Sequence, residues 1–102
     1  FLKIKKTLNN KKQVEQQLEI NLRNARSVYS FSLSQFKTAE KNLELAEKIY
    51  RKTKIKYDEG ISSSLDLNQV SNQLLENQTN YVSAALSLID AKSELNKALN
   101  LF

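Results

Sequence analysis

The chain has 102 residues, a net charge of +5 and no cysteine, histidine or proline. The absence of cysteine excludes disulfide bonds and thiolate metal sites, and the absence of histidine removes the commonest general base and metal ligand. We therefore expect no enzymatic activity and predict neither a metal nor a cofactor. No apolar run approaches the roughly 18 residues that are needed to span a bilayer.

The first arm of the chain begins with a basic segment. The lysines within residues 1–12 precede any acidic residue, and Thr7, Asn9 and Asn10 make this the weakest part of a predicted helix. A basic helix can bind phosphate or anionic lipid. These lysines are interleaved with polar residues and lack an aromatic stacking platform, so we expect a solvated helix face and no nucleic-acid partner.

A regular apolar pattern follows the basic segment. Apolar and small residues succeed one another at alternating steps of four and three, which is the spacing of a heptad seam. The seam comprises Leu18, Leu22, Ala25, Tyr29, Ser32, Phe36, Ala39, Leu43, Ala46, Tyr50, Thr53 and Tyr57. Bulky and small residues alternate along it, which favours close packing against one facing helix. We therefore predict a helix over residues 3–58.

The turn is predicted at the only glycine of the chain, Gly60. It follows the first seam directly, where the end of a helix favours a residue that tolerates positive φ. Each of the three serines after it offers a hydroxyl that can cap the amides of a new helix, namely Ser62, Ser63 and Ser64. The pattern predicts a turn over residues 59–62, at which the chain reverses direction.

The second arm repeats the heptad spacing and predicts a helix over residues 63–101. Its seam comprises Val70, Leu74, Asn77, Tyr81, Ala84, Leu88, Ala91, Leu95, Ala98 and Phe102. In an antiparallel hairpin that turns near residue 62, the numbers of paired residues sum to about 124. The predicted pairs are Tyr50 with Leu74, Leu43 with Tyr81, Phe36 with Leu88, Tyr29 with Leu95, and Leu22 with Phe102. The predicted fold is all-α, a long antiparallel two-helix coiled-coil hairpin.

A second apolar stripe lies on each predicted helix, away from the seam. The stripes comprise Ile20, Phe31, Leu45 and Ile49 on the first helix, and Leu75, Val82, Leu86 and Ile89 on the second. Isolated exposed apolar residues need no explanation, but one hairpin cannot bury two stripes on each helix. We therefore expect neighbours on both sides, as in a barrel of helices, and interpret the chain as a fragment or a protomer.

The turn also carries a motif with fixed spacing. It reads Y-x-x-G-x-x-S-x-L-D from Tyr57 to Asp66, and a polar stretch from Asn72 to Gln78 follows it. Matching helical positions are Ala39, Leu43, Ala46 and Tyr50 before the turn, and Tyr81, Ala84, Ala91, Leu95, Ala98 and Leu99 after it. In these features, over roughly residues 14–102, the chain resembles the second periplasmic hairpin of the TolC-type outer-membrane efflux proteins.

The resemblance implies a location and partners. The family forms a trimeric channel-tunnel whose α-helical barrel lies in the periplasm, beneath the bacterial outer membrane. Residues 1–102 would then be one periplasmic hairpin of each protomer in a homotrimer, within a channel for drug efflux or type I protein secretion. A periplasmic adaptor protein would dock at the tip and connect the channel to an inner-membrane pump.

The resemblance further implies roles for residues of the turn. The adaptor-docking tip would be formed by Glu59, Gly60, Ile61, Ser62 and Ser63. Tyr57, Asp66 and Gln69 would lie at the gated tunnel entrance, Tyr57 in a network of polar links that holds it shut and Asp66 in a constricting ring of acids. Gln69 stands where the family has a second acid, and Ser62 stands where it can carry arginine.

Asp66 also has a simple structural explanation. A carboxylate in the first turn of a helix is favoured by the helix dipole, typically by about a few tenths of a kcal/mol, so helix capping alone accounts for its position. In a threefold assembly the same residue would form a ring of like charges that attracts cations. The two roles are compatible.

Two other interpretations remain open. The coiled-coil hairpin of a periplasmic adaptor, or membrane fusion protein, shares the antiparallel heptads but would carry flanking β-rich domains, and the doubled stripes disfavour it. A structural coiled-coil scaffold would show a single seam and would bury its apolar surface within itself.

Overall fold

A computed structural model of the chain describes the backbone of residues 2–100 and the side chains of residues 10–100. Helix α1 spans Leu2–Asp58, helix α2 spans Ser64–Asn100, and residues 2–100 contain no β-strand. The helices pack against each other in a rod of 88 × 15 × 13 Å. The predicted all-α helical hairpin is confirmed. The predicted end of the second helix at residue 101 and the pairing of Leu22 with Phe102 lie outside the described residues.

Both helices run without interruption because the chain has no proline and its one glycine lies between them. Two exposed ion pairs at i,i+4 spacing add to the stability of α1. Glu19 pairs with Arg23 at 3.9 Å and Glu47 with Arg51 at 3.8 Å. Such solvated pairs stabilise a helix by only about 0.2–0.5 kcal/mol each. The hairpin therefore depends mainly on the packing of α1 against α2.

The two helices meet along the predicted seams. Every predicted seam position from Leu18 to Thr53 and from Val70 to Ala98 is buried or half-buried. The most buried of them are all small residues, Ser32, Ala46, Ala91 and Ala98, each exposed by 8% or less. Small side chains allow two helix backbones to approach closely, while larger neighbours are covered on one side only. This explains why no large side chain among residues 10–100 is fully buried.

Among the predicted seam residues that the structure describes, Tyr57 is the exception. Its side chain is 42% exposed. It lies in the last turn of α1, which ends at Asp58. The chain leaves the helix immediately beyond it, so the seam does not continue past Tyr57 to cover its outer side.

The pairing between the seams also differs from the prediction. The ring of Phe36 packs against the ring of Tyr81, with centroids 5.2 Å apart, whereas the predicted partner Leu88 lies one heptad further along α2. The cause lies in the turn. The amides of Ile61 and Ser62 donate to the carbonyl of Lys56 at 2.7 and 3.2 Å, so the chain folds back along the last turn of α1. Helix α2 therefore begins closer to the body of the rod than a symmetric turn would place it.

Candidate functional site

Helix α1 ends in a hydrogen-bonded cap around Gly60. The Ile61 amide donates to the carbonyl of Lys56 at 2.7 Å, and the Gly60 amide donates to the carbonyl of Tyr57 at 3.0 Å. These are the two bonds of a Schellman motif, in which a glycine adopts the left-handed conformation. Gly60 has a φ of 77°, so the positive φ predicted there is confirmed. A Cβ at this position would meet no atom within 4 Å. Glycine is therefore favoured here by the left-handed backbone conformation and not by a lack of room for a side chain.

Helix α2 begins with Ser63 as its N-cap. The Asp66 amide donates to the Ser63 hydroxyl oxygen at 3.2 Å, and the Leu67 amide donates to the Ser63 carbonyl at 3.2 Å. Of the three candidate capping serines, the structure therefore selects Ser63. The helix starts at Ser64 and not at the predicted residue 63, because an N-cap residue keeps non-helical backbone angles. Asp66 lies in the first turn of α2, where the helix dipole favours its carboxylate.

The turn presents two apolar side chains to solvent. Ile61 is 71% exposed and Leu65 is 74% exposed, the highest values among the large apolar residues described. Leu65 is absent from the docking residues predicted from the sequence, although a signal for it exists. It is an apolar residue in the first turn of α2 that falls outside the seam spacing, so the hairpin offers it no partner. Two large apolar residues exposed in one turn, at the end of a rod, are typical of a contact surface.

Most of the other residues predicted for the tip and the entrance are exposed. Glu59, Gly60 and Ser63 are exposed, whereas Ser62 is half-buried. Asp66 and Gln69 are exposed as well, and their three-residue spacing places them on one face of α2. The structure thus brings Tyr57, Gly60 and Ile61 together in one cap and Ser63 and Asp66 in the other, while Gln69 lies nearly one turn further along α2.

A polar groove runs between the helices on one face of the rod, away from the turn. Its lining consists mainly of uncharged polar side chains, among them Gln35, Thr38, Asn42, Asn80, Ser83 and Ser87. Charged residues of α1 at the same level, such as Lys37, Glu40 and Glu44, lie on the opposite side of the helix. Along the groove, α1 therefore has an uncharged polar side and, opposite it, a charged side.

The described residues show what the hairpin can do chemically. Among side chains 10–100 no group of acidic residues is placed to hold a metal ion. Within residues 2–100 neither helix has a stretch that is apolar enough to cross a lipid bilayer. The exposed groups of the turn are hydroxyls, amides, carboxylates and two apolar side chains, a mixture suited to contact with another protein.

The sequence matches the outer membrane efflux protein family over residues 3–101, a region that includes both helices and the turn. Comparisons with curated proteins and with solved structures give no match. The family comprises channel proteins of the outer membrane that act in transport and not in catalysis. Because the match extends over nearly the whole sequence, the chain belongs to the outer membrane efflux protein family.

Proposed function

We propose that the chain is a periplasmic tunnel segment of a TolC-like outer-membrane channel and that its turn is the gated tip at which a periplasmic adaptor docks. The channel serves drug efflux or type I protein secretion, and the adaptor links it to an inner-membrane pump. The exposed turn carries this proposal. Ile61 and Leu65 offer apolar contact area that the hairpin leaves uncovered, and Gly60 holds the backbone in a tight reversal.

The exposure of the second stripes supports a place in the wall of a trimeric tunnel. The stripe residues of both helices, Ile20, Phe31, Leu45, Ile49, Leu75, Val82, Leu86 and Ile89, are between 40% and 65% exposed. A wall helix has a neighbour on each side, and such neighbours would cover these stripes. Together with the family match, these features favour a channel segment over an adaptor hairpin or a coiled-coil scaffold.

The entrance of the tunnel would be lined by residues at the start of α2. In a homotrimer the exposed Asp66 would occur three times around the axis and form a ring of carboxylates. Gln69 lies nearly one turn further along α2 and is uncharged. Of the two predicted entrance positions on α2, only Asp66 therefore contributes an acid from each protomer. Tyr57 lies at the end of α1 with its side chain partly exposed, and in the proposed gate it joins the polar links that keep the entrance shut.

A comparison of two substitutions at Gly60 tests the docking role of the tip. Gly60→Val introduces a branched side chain at φ 77°, so we expect reduced efflux or secretion in the full-length protein while trimer assembly is retained. Gly60→Asn is the matched variant, because asparagine tolerates the left-handed conformation and its Cβ would enter open space.

If an adaptor approaches the backbone closely, Gly60→Asn also lowers transport, although the turn keeps its shape. Normal transport by both variants at normal expression would remove the tip from the functional site. Loss of transport in Gly60→Val alone would show that only the turn conformation matters, and close docking at Gly60 would be wrong.

A further inference from the structure

The face of the rod opposite the polar groove, called the back face below, combines charged residues of α1 with apolar residues of α2. The groove takes its polar residues from one side of each seam, Gln35 and Asn42 on α1, Asn80 and Ser87 on α2. The other sides of the two seams, roughly 80–130° around each helix, therefore share the opposite face. The back face presents Glu19, Arg23, Arg26, Glu44, Glu47 and Arg51 on α1, and Leu75, Val82 and Ile89 on α2. All of these are exposed except Glu47, which is half-buried.

The charges of the back face are self-complementary about the level of Gln35. Residues at equal distances on either side of Gln35 carry opposite charges, namely Glu19 and Arg51 at 16 residues, Arg23 and Glu47 at 12, and Arg26 and Glu44 at 9. In an antiparallel pair of copies with a two-fold axis at this level, each residue of α1 lies opposite the residue at the same distance beyond the axis. Two copies of α1 would therefore bring three pairs of opposite charges together on each side of the axis, and no like charges along this edge.

The apolar residues of the back face are arranged symmetrically as well. Leu75 and Ile89 lie seven residues on either side of Val82. An antiparallel pair centred on Val82 would place Leu75 of each copy against the partner's Ile89, and the two Val82 side chains against each other. All three residues are between 56% and 62% exposed in the single hairpin. Such a pair would thus cover an apolar stripe that the hairpin itself leaves open.

The two centres coincide in the folded hairpin. The ring of Phe36 packs against the ring of Tyr81, and the two helices run in opposite directions, so the residue before Phe36 is level with the residue after Tyr81. These two residues are Gln35 and Val82. A single two-fold axis can therefore relate both the charges of α1 and the apolar residues of α2. Neither set of residues belongs to the seam, so packing within the hairpin does not account for this agreement.

We propose that two copies of this chain associate through their back faces in an antiparallel pair, with α1 against α1 and α2 against α2. The inference goes beyond the proposed function, because the tips of the two copies point in opposite directions, whereas the hairpins of a tunnel share one direction. The pair and the tunnel compete for the same apolar stripe of α2. The pair therefore belongs to copies of the chain that are not part of a tunnel.

The size and the charges of the contact favour this arrangement over others. From Glu19 to Arg51 the contact is about 48 Å long, and on a rod 15 Å wide it covers roughly 700 Å² of each copy, near the ~800 Å² of a standard interface. Exposed ion pairs add little affinity but favour one alignment. Sliding one copy by seven residues would place Arg26 opposite Arg51 in one direction and Glu19 opposite Glu44 in the other. A face-to-face pair with both tips at the same end would lay the charges of α1 on the apolar stripe of α2.

Single cysteines test the orientation of the pair, since the chain has none of its own. Val82→Cys places a thiol at the axis, so oxidation with copper phenanthroline should give a covalent dimer on non-reducing electrophoresis. Leu75→Cys alone should give none, because the two thiols would be about 21 Å apart along the rod. A mixture of Leu75→Cys and Ile89→Cys chains should give a mixed dimer. Ser83→Cys, on the groove side, is the exposed control that should give none.

Charge reversal tests the alignment independently. A first chain carries Arg23→Glu with Arg26→Glu, and a second chain carries Glu44→Arg with Glu47→Arg. Each chain alone would bring like charges together in the proposed pair, so we expect about tenfold weaker dimerisation in sedimentation at low salt. An equimolar mixture restores every pair of opposite charges, and we expect its heterodimer to form within about twofold of the original affinity.

A control variant separates this pattern from net charge. Lys41→Glu with Lys48→Glu gives the net charge of the first chain but changes residues outside the back face. We expect this variant to dimerise on its own, within about threefold of the original affinity. Circular dichroism verifies that each variant keeps its helices.

Each test has an outcome that overturns the inference. Covalent dimers of Leu75→Cys alone would show that the stripes meet with both tips at the same end, and equal cross-linking of Val82→Cys and Ser83→Cys would mean that the contact has no defined face. A mixture of the two charge variants that dimerises no better than each alone would remove the charges from the contact. The Gly60 substitutions test tip docking in the full-length protein, so either result leaves the other standing.

Discussion

The ring of Phe36 on α1 packs against the ring of Tyr81 on α2, with centroids 5.2 Å apart and planes tilted by 38°. A tilted geometry at this separation is favourable for two aromatic rings. Because each residue belongs to a seam with heptad spacing, this contact shows how the two helices are aligned. A slip of α2 by one heptad would place Leu88 beside Phe36 and remove the aromatic pair.

A double-mutant cycle measures the contribution of this pair. Phe36→Leu and Tyr81→Leu each retain apolar bulk but remove one ring, so the loss in the double variant should be smaller than the sum of the single losses. We expect a coupling energy of about 0.5–1.5 kcal/mol in urea unfolding. A cycle between Tyr81 and Tyr50, two heptads from Phe36, should be additive. Comparable coupling in both cycles would contradict the observed alignment.

The heptad spacing predicted the seams because it reports directly which side of a helix is buried. Positions such as Leu43 and Leu95 are half-buried as predicted, and Ala46 and Ala91 are buried. The spacing carries no information on alignment, since a slip by seven residues leaves every seam residue facing the partner. Alignment depends on the path of a few turn residues, which the sequence pattern does not determine.

At the turn, the sequence predicted the backbone conformation of Gly60, but it did not predict which serine caps α2 or that Leu65 is exposed. Gly60 adopts the positive φ expected of a lone glycine after a helix. The identity of the N-cap was open because three consecutive serines are chemically equivalent candidates, and only the backbone geometry selects Ser63. The exposure of Leu65 follows from the same geometry, since it depends on where α2 begins.

The N-cap leads to a prediction for the stability of α2. Ser63→Ala removes the hydroxyl oxygen that accepts from the Asp66 amide, and we expect the free energy of unfolding to fall by about 1 kcal/mol. Ser64→Ala is the control, because Ser64 lies inside the helix and alanine is favoured there. Chemical unfolding of both variants gives the comparison, and equal losses would mean that Ser63 is not the cap.

Substitutions at Gly60 test whether glycine is needed there for its backbone conformation or for its small size. Gly60→Ala should lower the free energy of unfolding by about 1–2 kcal/mol, because alanine pays a steric penalty at φ 77°. Gly60→Asn should lower it by less, since asparagine bonds its own backbone in this conformation. Thermal unfolding checks the order. Equal stability of Gly60→Ala and the original chain would show that the left-handed conformation is not required.

The apolar edge of α2 leads to a prediction about association. Val82 and Leu86 are 56% and 59% exposed and together line a shallow apolar depression. At about 25 cal/mol per Å² of apolar surface, a bare stripe of several hundred Å² favours association by several kcal/mol. We expect sedimentation of the 102-residue chain to show concentration-dependent self-association, which Val82→Gln combined with Leu86→Gln abolishes.

The control for this prediction uses exposed apolar residues that lie outside the stripes. Val28 and Ile55 are 53% and 57% exposed, so changing both to glutamine removes similar apolar area without touching the edge of α2. Association should persist in this variant if a defined edge drives it, and it should weaken equally in both variants if any exposed apolar residue suffices. A chain that stays monomeric at high concentration, and is unaffected by the changes at Val82 and Leu86, would contradict the need for a neighbouring helix on this side. The physical support for a helical tunnel wall would then be lost.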